Sequence, residues 1–535
     1  MQLSLPEQRA IPGVDTRPGP LRTWLTGLPY VDSENAAELI IERLRDINDQ
    51  LIPSTHRLEL LAAFCHSYER LHDVLRTSIR LQDALTEPRA LHLLTDFTEA
   101  MSFGYKYALR DAINERQRWS RIKQLSEATN YSQYFLALLL ICRYQTYQPV
   151  SDNSWREIGD LVRFAEAQPL TATPDPGFPC CSGDLHVLKC YKQLALLRLA
   201  DPYRQPTNMI WEIYSYLSDK TGMIKLLNSF DDATPTGVYG LSLDREPHQS
   251  SPAPASGVER NSWRWLDARE LLQTVQQDME RISAGTPPHR LGFSQRVSSN
   301  DGTQLLSRLL SQWAHAHERK SPRFSSNLDV DLTLGLEAAY YFLNNCTAFN
   351  PAHFSSPDDD DDIDYTQALR IRTNDVQRDF RLVSCPTRNR SSGGLALHLD
   401  EIHNLILRVG QLVLISLPGT GTTRDWLVGV VRWQVSGKLK HEELGVQYVA
   451  RNSVPAVVRQ TSGAHQLFRP ALKSDLALAN GQRLLILITP RGFYKNKAVL
   501  ELQLNEQLRQ IRCGHLLETG QGFERFSYEI LDSTE

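Results

Sequence analysis

"NLDVDLTLGL", residues 327–336, alternates Leu328, Val330, Leu332, Leu334 and Leu336 with polar or small neighbours. A period of two is that of a strand with one buried face. Upstream, the period is different. In "SENAAELIIERLRDINDQL", residues 33–51, apolar side chains fall at Ala37, Ile40, Ile41, Leu44, Ile47 and Leu51, the stripe of an amphipathic helix. Leu61, Phe64, Tyr68, Leu71 and Leu75 repeat it, so these two segments read as antiparallel helices. The helical period continues through residues 90–113 and "YFLALLLICRYQTY", 134–147. It returns after Pro149 in "SWREIGDLVRFAEAQ", where Ser154 is the expected N-cap. Further helical runs over 186–227 carry Trp211, Tyr214 and Tyr216 as anchors, which makes residues 1–230 an all-helical region.

Residues 231–261 are rich in Pro, Ser, Gly and Ala and read as a linker. Two more helical runs, "WRWLDARELLQTVQQDMERISAG" and "GTQLLSRLLSQWAHAH", fill a segment at 262–315 that leads into the alternating strand. Beyond that strand come "RDFRLVSCPT", "GLALHL", "QLVLISLP", "WLVGVVRWQV" and "LGVQYV", separated by short turns. Short strands at this density point to a small antiparallel β-barrel over 316–455. An insertion at about 338–376 interrupts it. The front of that insertion, from "EAAYYF", reads as either strand or short helix, and its middle holds the aspartates Asp358 to Asp362, a solvated loop without the ligand alternation of a calcium site. Residues 456–535 bring "RLLILITP", "KAVLELQL", "QLRQIRCGHLLE" and "ERFSYEIL", a second small β unit. The fold class is therefore multidomain α+β.

A net charge of -4 argues against a general nucleic-acid binder, so any anion must be met by a local cluster of arginines. The N-terminus lacks a basic segment followed by an apolar core, and the longest apolar run, "FLALLLIC", is too short to span a bilayer. A cytoplasmic protein without direct membrane insertion is expected. Cys180, Cys181 and Cys190 with His186 form the only local cysteine group, and adjacent cysteines do not readily chelate one zinc, so no metal is assigned. The chain shows no phosphate-cradling Walker loop, G-x-S-x-G elbow or H-E-x-x-H pair, and no residue is assigned a catalytic role or a cofactor.

Two stretches carry the functional reading. "HERKSPRF", 317–324, places Arg319 and Arg323 four apart, with Pro322 drawing the chain out of helix. "TRNRSSGGLAL", 387–397, places Asn389, Ser391 and Gly394 at a turn between strands, with Arg388 and Arg390 beside it. Forked guanidinium groups hold phosphate bidentately or grip the O6 and N7 edge of guanine. Each stretch alone is ordinary. Their order, R-x-x-x-R, alternating strand, N-x-S-x-x-G, then "VGVVRW" and "LGVQYV", resembles the PilZ domain family, bacterial receptors for cyclic di-GMP, over roughly residues 316–450.

The resemblance implies a six-stranded barrel. It implies that Arg319 and Arg323, on a flexible leading segment, fold over the ligand's phosphates and guanines. Asn389, Ser391 and Gly394 would hold the base from the barrel side, and Arg388 and Arg390 are secondary candidates for phosphate contact. The chain departs from the pattern in the long gap between Arg323 and Asn389, and in carrying Asn where Asp is commoner. A cytoplasmic effector is implied, in which cyclic di-GMP binding alters contact between the helical region and an unidentified protein partner, with type IV pilus, motility and biofilm as the family's settings. The alternative is a helical scaffold or adaptor with a degenerate PilZ-like barrel that does not bind nucleotide.

Overall fold

In the computed structural model the described residues are all but 2, 82–88, 115–120, 169–185, 231–234, 249–261, 315–321, 323, 355–379, 401–404, 418–423, 438–441, 462–466, 478–480, 482, 506 and 532–535. The chain divides into a largely helical unit, Met1–Pro202 with Thr207–Glu318, and a β unit, Tyr203–Pro206 with Arg319–Glu535.

The helical unit begins with α1 (Pro18–Thr26), α2 (Ser33–Asn48), α3 (Ser54–Leu81), α4 (Arg89–Asn114), α5 (Arg121–Gln145), α6 (Asp152–Ala167), α7 (Val187–Leu199) and α8 (Thr207–Ser218). In α2 the expected stripe is buried at Ala37, Ile40, Ile41, Leu44 and Ile47 but not at Leu51, which lies past the helix end and is exposed, and the Asp32 carboxylate accepts the Asn35 N–H at the N-terminus. The α3 stripe is buried too, with Tyr68 edge-on to Phe97 of α4 and Phe135 of α5 at 5.0 and 5.1 Å between centroids. The N-cap of α6 is Ser151, whose hydroxyl accepts the Ser154 N–H at 3.3 Å, so this helix starts three residues before the position read from sequence. No helix among the described residues is long and apolar enough to cross a membrane.

A small antiparallel sheet completes this unit and corrects three readings, the first being the helical run over 186–227, which ends in strand at Lys225–Leu227. Strands β1 (Lys225–Leu227), β2 (Val238–Ser242) and β3 (Trp263–Asp267) lie in the order β1-β3-β2. β2 falls inside the stretch read as a linker, and its Val238, Tyr239 and Leu241 are buried against β3. The Pro/Ser-rich flanks dominate that stretch's composition and hide five residues of strand. "WRWLD" is likewise strand rather than the head of a helix. Asp267 ends it by accepting the Arg269 N–H at 3.1 Å, and α9 (Arg269–Ser283) starts there. α10 (Ser299–Ala314) is the last helix of this unit.

The β unit holds two closed barrels. The first contains β4 (Phe324–Ser325), β5 (Asp329–Leu334), β6 (Val383–Ser391), β7 (Gly394–Leu399), β8 (Leu412–Leu417), β9 (Asp425–Ser436) and β10 (Glu442–Arg451). Its order is β6-β5-β8-β9-β10-β7, and β7 pairs back onto β6, closing the expected six-stranded antiparallel ring, with β4 added on β6. Val330 and Leu332 of the alternating strand are buried, while Leu328, just before it, is exposed. The front of the insertion is helix, α11 (Leu336–Leu343), entered through Gly335 at φ 90°. Asp358 to Asp362 lie outside the described residues.

The second barrel contains β11 (Val454–Gln460), β12 (Arg469–Ala477), β13 (Arg483–Thr489), β14 (Val499–Leu504), β15 (Gln507–Thr519) and β16 (Glu524–Ile530), closed in the order β11-β12-β13-β16-β15-β14. Closure leaves neither ring an open edge strand. Ala456, Leu487, Ile511 and Phe526 fill its interior. One apolar cluster joins the barrels: Leu336, Ala339 and Tyr340 of α11 pack with Leu412, Leu414, Val428 and Val430 on one side, and with Val457, Phe468, Leu472 and Ile488 on the other. Only Asn452 and Ser453 separate β10 from β11, so the second barrel follows directly from the strand that backs the candidate turn.

Candidate ligand site

The site is built on the β6–β7 hairpin. Ser391 pairs with Gly394 across a two-residue turn, and the Ser391 hydroxyl donates to the Gly394 carbonyl at 3.2 Å. The register slips between Thr387 and Asn389, a bulge of the kind that re-aims side chains at sheet ends. Gly394 sits opposite Gln447 of β10, and a Cβ there would lie 2.2 Å from the Val446 carbonyl oxygen. Its lack of a side chain thus admits another backbone strand. The Tyr448 N–H donates to the Gly393 carbonyl at 2.9 Å, so β10 supports the turn from behind.

The leading chain runs along the same hairpin. β4 pairs Phe324 with Arg390 and Ser325 with Asn389. Ser326 N–H donates to the Arg388 carbonyl at 3.2 Å, its hydroxyl lies 3.0 Å from that of Thr387, and the Thr387 hydroxyl donates to the Leu328 carbonyl at 2.7 Å. Arg319 and Arg323 themselves lie outside the described residues. Phe324, the residue after Arg323, is 68% exposed and held opposite the turn. Chain from both sides of the acidic insertion therefore meets in one sheet, through Phe324 and Ser325 of β4 and residues 329–332 of β5 on β6.

Side chains at the turn differ in their partners. Asn389 is half-buried, and its amide makes no hydrogen bond among the described residues. Arg388 bonds to the Glu443 carboxylate on the barrel wall. Arg390 is exposed and has no ion pair among the described residues. Arg451, at the end of β10, donates to the Ser392 carbonyl at 2.9 Å and lies over the Tyr448 ring, 5.7 Å from its centroid. Burial raises the Tyr448 phenol's pKa, against the opposing charges of Arg390 and Arg451. Arg451 and Tyr448 escaped the sequence reading, because only the β7–β10 register brings them to a turn about sixty residues away.

Behind the turn, β10 is tied to the second barrel. Arg432 of β9 donates to Gln447 at 2.7 Å and forks onto the Glu518 carboxylate, which Arg525 also approaches at 3.4 Å. Arg525 donates to the Val449 carbonyl at 2.9 Å, and the Ser474 hydroxyl donates to the Arg451 carbonyl at 3.0 Å. Among the described residues no group of three or more His, Cys, Asp or Glu side chains is placed to hold a metal ion.

A closed six-stranded barrel with an N-x-S-x-x-G hairpin, onto which the chain following an R-x-x-x-R segment pairs, is a PilZ domain. Comparison with known proteins agrees and specifies further. Residues 19–230 match the family model described as the N-terminal domain of the cyclic-di-GMP receptor FimW, 241–370 its middle PilZ domain, and 458–531 its C-terminal β-barrel domain. A curated relative, "Cyclic-di-GMP receptor FimW" of Pseudomonas aeruginosa, is 23% identical over 589 aligned positions covering 99% of this chain and 93% of that one. The chain belongs to this PilZ-containing receptor family. The middle match contains Arg319 and Arg323 and ends before β6, so the turn residues rest on the geometry above.

Proposed function

We propose that this protein binds cyclic di-GMP at the β6–β7 turn and converts occupancy into altered binding of a protein partner. One observation carries the reading: β4 holds the residue after Arg323 opposite Arg390 and the next opposite Asn389. A single peptide step of about 3.8 Å then separates Arg323 from a residue already paired at the turn, well within the reach of an arginine side chain. In this reading Arg319 and Arg323 take phosphate and the guanine O6/N7 edge, Asn389 and Ser391 hold the base from the barrel side, and Gly394 lets β10 back the turn. The free amide of Asn389 supplies acceptor and donor where an aspartate would supply charge.

Two guanidinium groups four residues apart repel, and a dianionic nucleotide removes that repulsion as it draws them onto the hairpin. Because α10 leads into this segment, the ligand acts on the connection between the two units. It shifts a conformational equilibrium only by its difference in affinity for the two arrangements. The partner is a protein met by the helical region, in the cytoplasm, with pilus, motility or biofilm control as the family setting. Titration calorimetry of the full chain with cyclic di-GMP tests this. Saturable binding, silence with GTP, and loss of about a hundredfold or more in an Arg319→Ala, Arg323→Ala variant are expected, since each charged hydrogen bond contributes about 1.5–3 kcal/mol. Absence of binding by folded wild-type protein would leave the chain an adaptor with a nucleotide-free barrel.

A further inference from the structure

The turn carries a second pair of cations outside the motif: Arg390, a secondary candidate for phosphate contact on the sequence reading, and Arg451, which neither the sequence reading nor the family matches assign. Arg390 lies between Asn389 and Ser391, is exposed, and meets no carboxylate among the described residues. Arg451 reaches the same turn from β10, holds the Ser392 carbonyl with one N–H at 2.9 Å, and also meets no carboxylate among the described residues. Tyr448 backs the same turn, within the field of both charges: Arg451 covers its ring at 5.7 Å, its N–H holds Gly393, and its hydroxyl is buried with no hydrogen-bond partner among the described residues. Elsewhere on this barrel Arg388 pairs with Glu443, Arg424 with Asp331 at 3.3 Å, and Arg432 with Glu518. Two guanidinium groups at one turn that meet no carboxylate among the described residues are a poor arrangement for an empty surface and a good one for an anion.

We propose that Arg390 and Arg451, set about Tyr448, bind one phosphodiester of the cyclic dinucleotide while Arg319 and Arg323 bind the other. This rests on the receptor reading above and deepens it. It assigns two phosphates to two cationic pairs, one on the leading segment and one on the rigid barrel. Phosphates are common to all cyclic dinucleotides, so the barrel pair contributes affinity without base selectivity. Arg451 also links the ligand to the second barrel, because its carbonyl accepts from Ser474 of β12.

The test is the cyclic di-GMP affinity of wild type, Arg390→Ala, Arg451→Lys and the Arg390→Ala, Arg451→Ala double variant, each at low and high salt with its melting temperature. Arg390→Ala removes no side-chain hydrogen bond or ion pair among the described residues and leaves the backbone pairing of the hairpin in place, so it reads ligand contact with little disturbance of the turn. It should weaken binding about tenfold or more and flatten the salt dependence at unchanged melting temperature. The double variant should lose more, and Arg451→Lys, which keeps the charge but not the fork, should fall between. Wild-type affinity and salt slope in both Arg390→Ala and the double variant would overturn the second pair and leave the receptor reading intact. A wild-type protein that binds no cyclic di-GMP would overturn both.

Discussion

Gly394→Ala tests how the turn is supported. The added methyl would meet the Val446 carbonyl oxygen at 2.2 Å and the Gln447 Cα at 3.2 Å, both on the backbone of β10, where no side-chain rotation relieves it. A carbon approaches a carbonyl oxygen no closer than about 3.3 Å, so β7 must withdraw from β10 by about 1 Å. That distance breaks the Tyr448 N–H bond to Gly393, now 2.9 Å, and the Arg451 bond to Ser392. Overpacking costs about 1–3 kcal/mol and one lost backbone bond about 1 kcal/mol, together about 2–4 kcal/mol. A chain of several domains does not report one two-state transition, so native-state hydrogen exchange in β7 and β10 is the suitable assay. Exchange there should rise about 30-fold to 1,000-fold, with cyclic di-GMP affinity falling in parallel. Unchanged exchange and affinity would show that β10 does not support the turn.

Other substitutions separate neighbouring roles. Arg388→Ala removes an exposed pair with Glu443, so stability should drop by less than about 1 kcal/mol and ligand affinity by no more than about twofold; a tenfold loss would place Arg388 in the site. Glu518→Gln leaves Arg432 and Arg525 without their shared carboxylate at a position only 12% exposed, at a cost of about 3 kcal/mol. Proteolysis at the Asn452–Ser453 junction should accelerate, and an unchanged rate would mean the apolar cluster around α11 alone holds the barrels together. Among the described cysteines only Cys346 is exposed, while burial pushes the thiols of Cys142 and Cys513 up to about 11 and Cys385 to about 12. A raised thiol pKa leaves less reactive thiolate at pH 8. Native protein with Cys180 and Cys181 replaced by Ser should therefore give one fast-labelling thiol, and a second would contradict the packing.

The barrel was legible because its strands carry strong local signals. "GLALHL" is β7 to the residue, and alternation in 327–336 marks β5. Strands that interrupt their own signal were missed: β11 and β12 carry Pro455 and Pro470 as second residues, and β2 is five residues within a Pro/Ser-rich stretch. Asn389, Ser391 and Gly394 form a recognisable spacing because one hairpin holds all three. Arg451 and Tyr448 leave no such trace, since Arg451 meets Ser392 across 59 residues of chain through a register that no local pattern encodes. The same limit applied to Gly394: any glycine permits a close approach, and only the barrel shows that β10 makes it.

Hydrogen exchange of the wild-type chain with and without saturating cyclic di-GMP asks most directly whether the arginine segment and the turn are two halves of one site. Peptides spanning 315–326 and 386–394 should gain protection together, at the same half-saturating concentration, while β13 to β16 of the second barrel stay unchanged. Protection confined to one of the two segments, or to neither, would contradict a composite site.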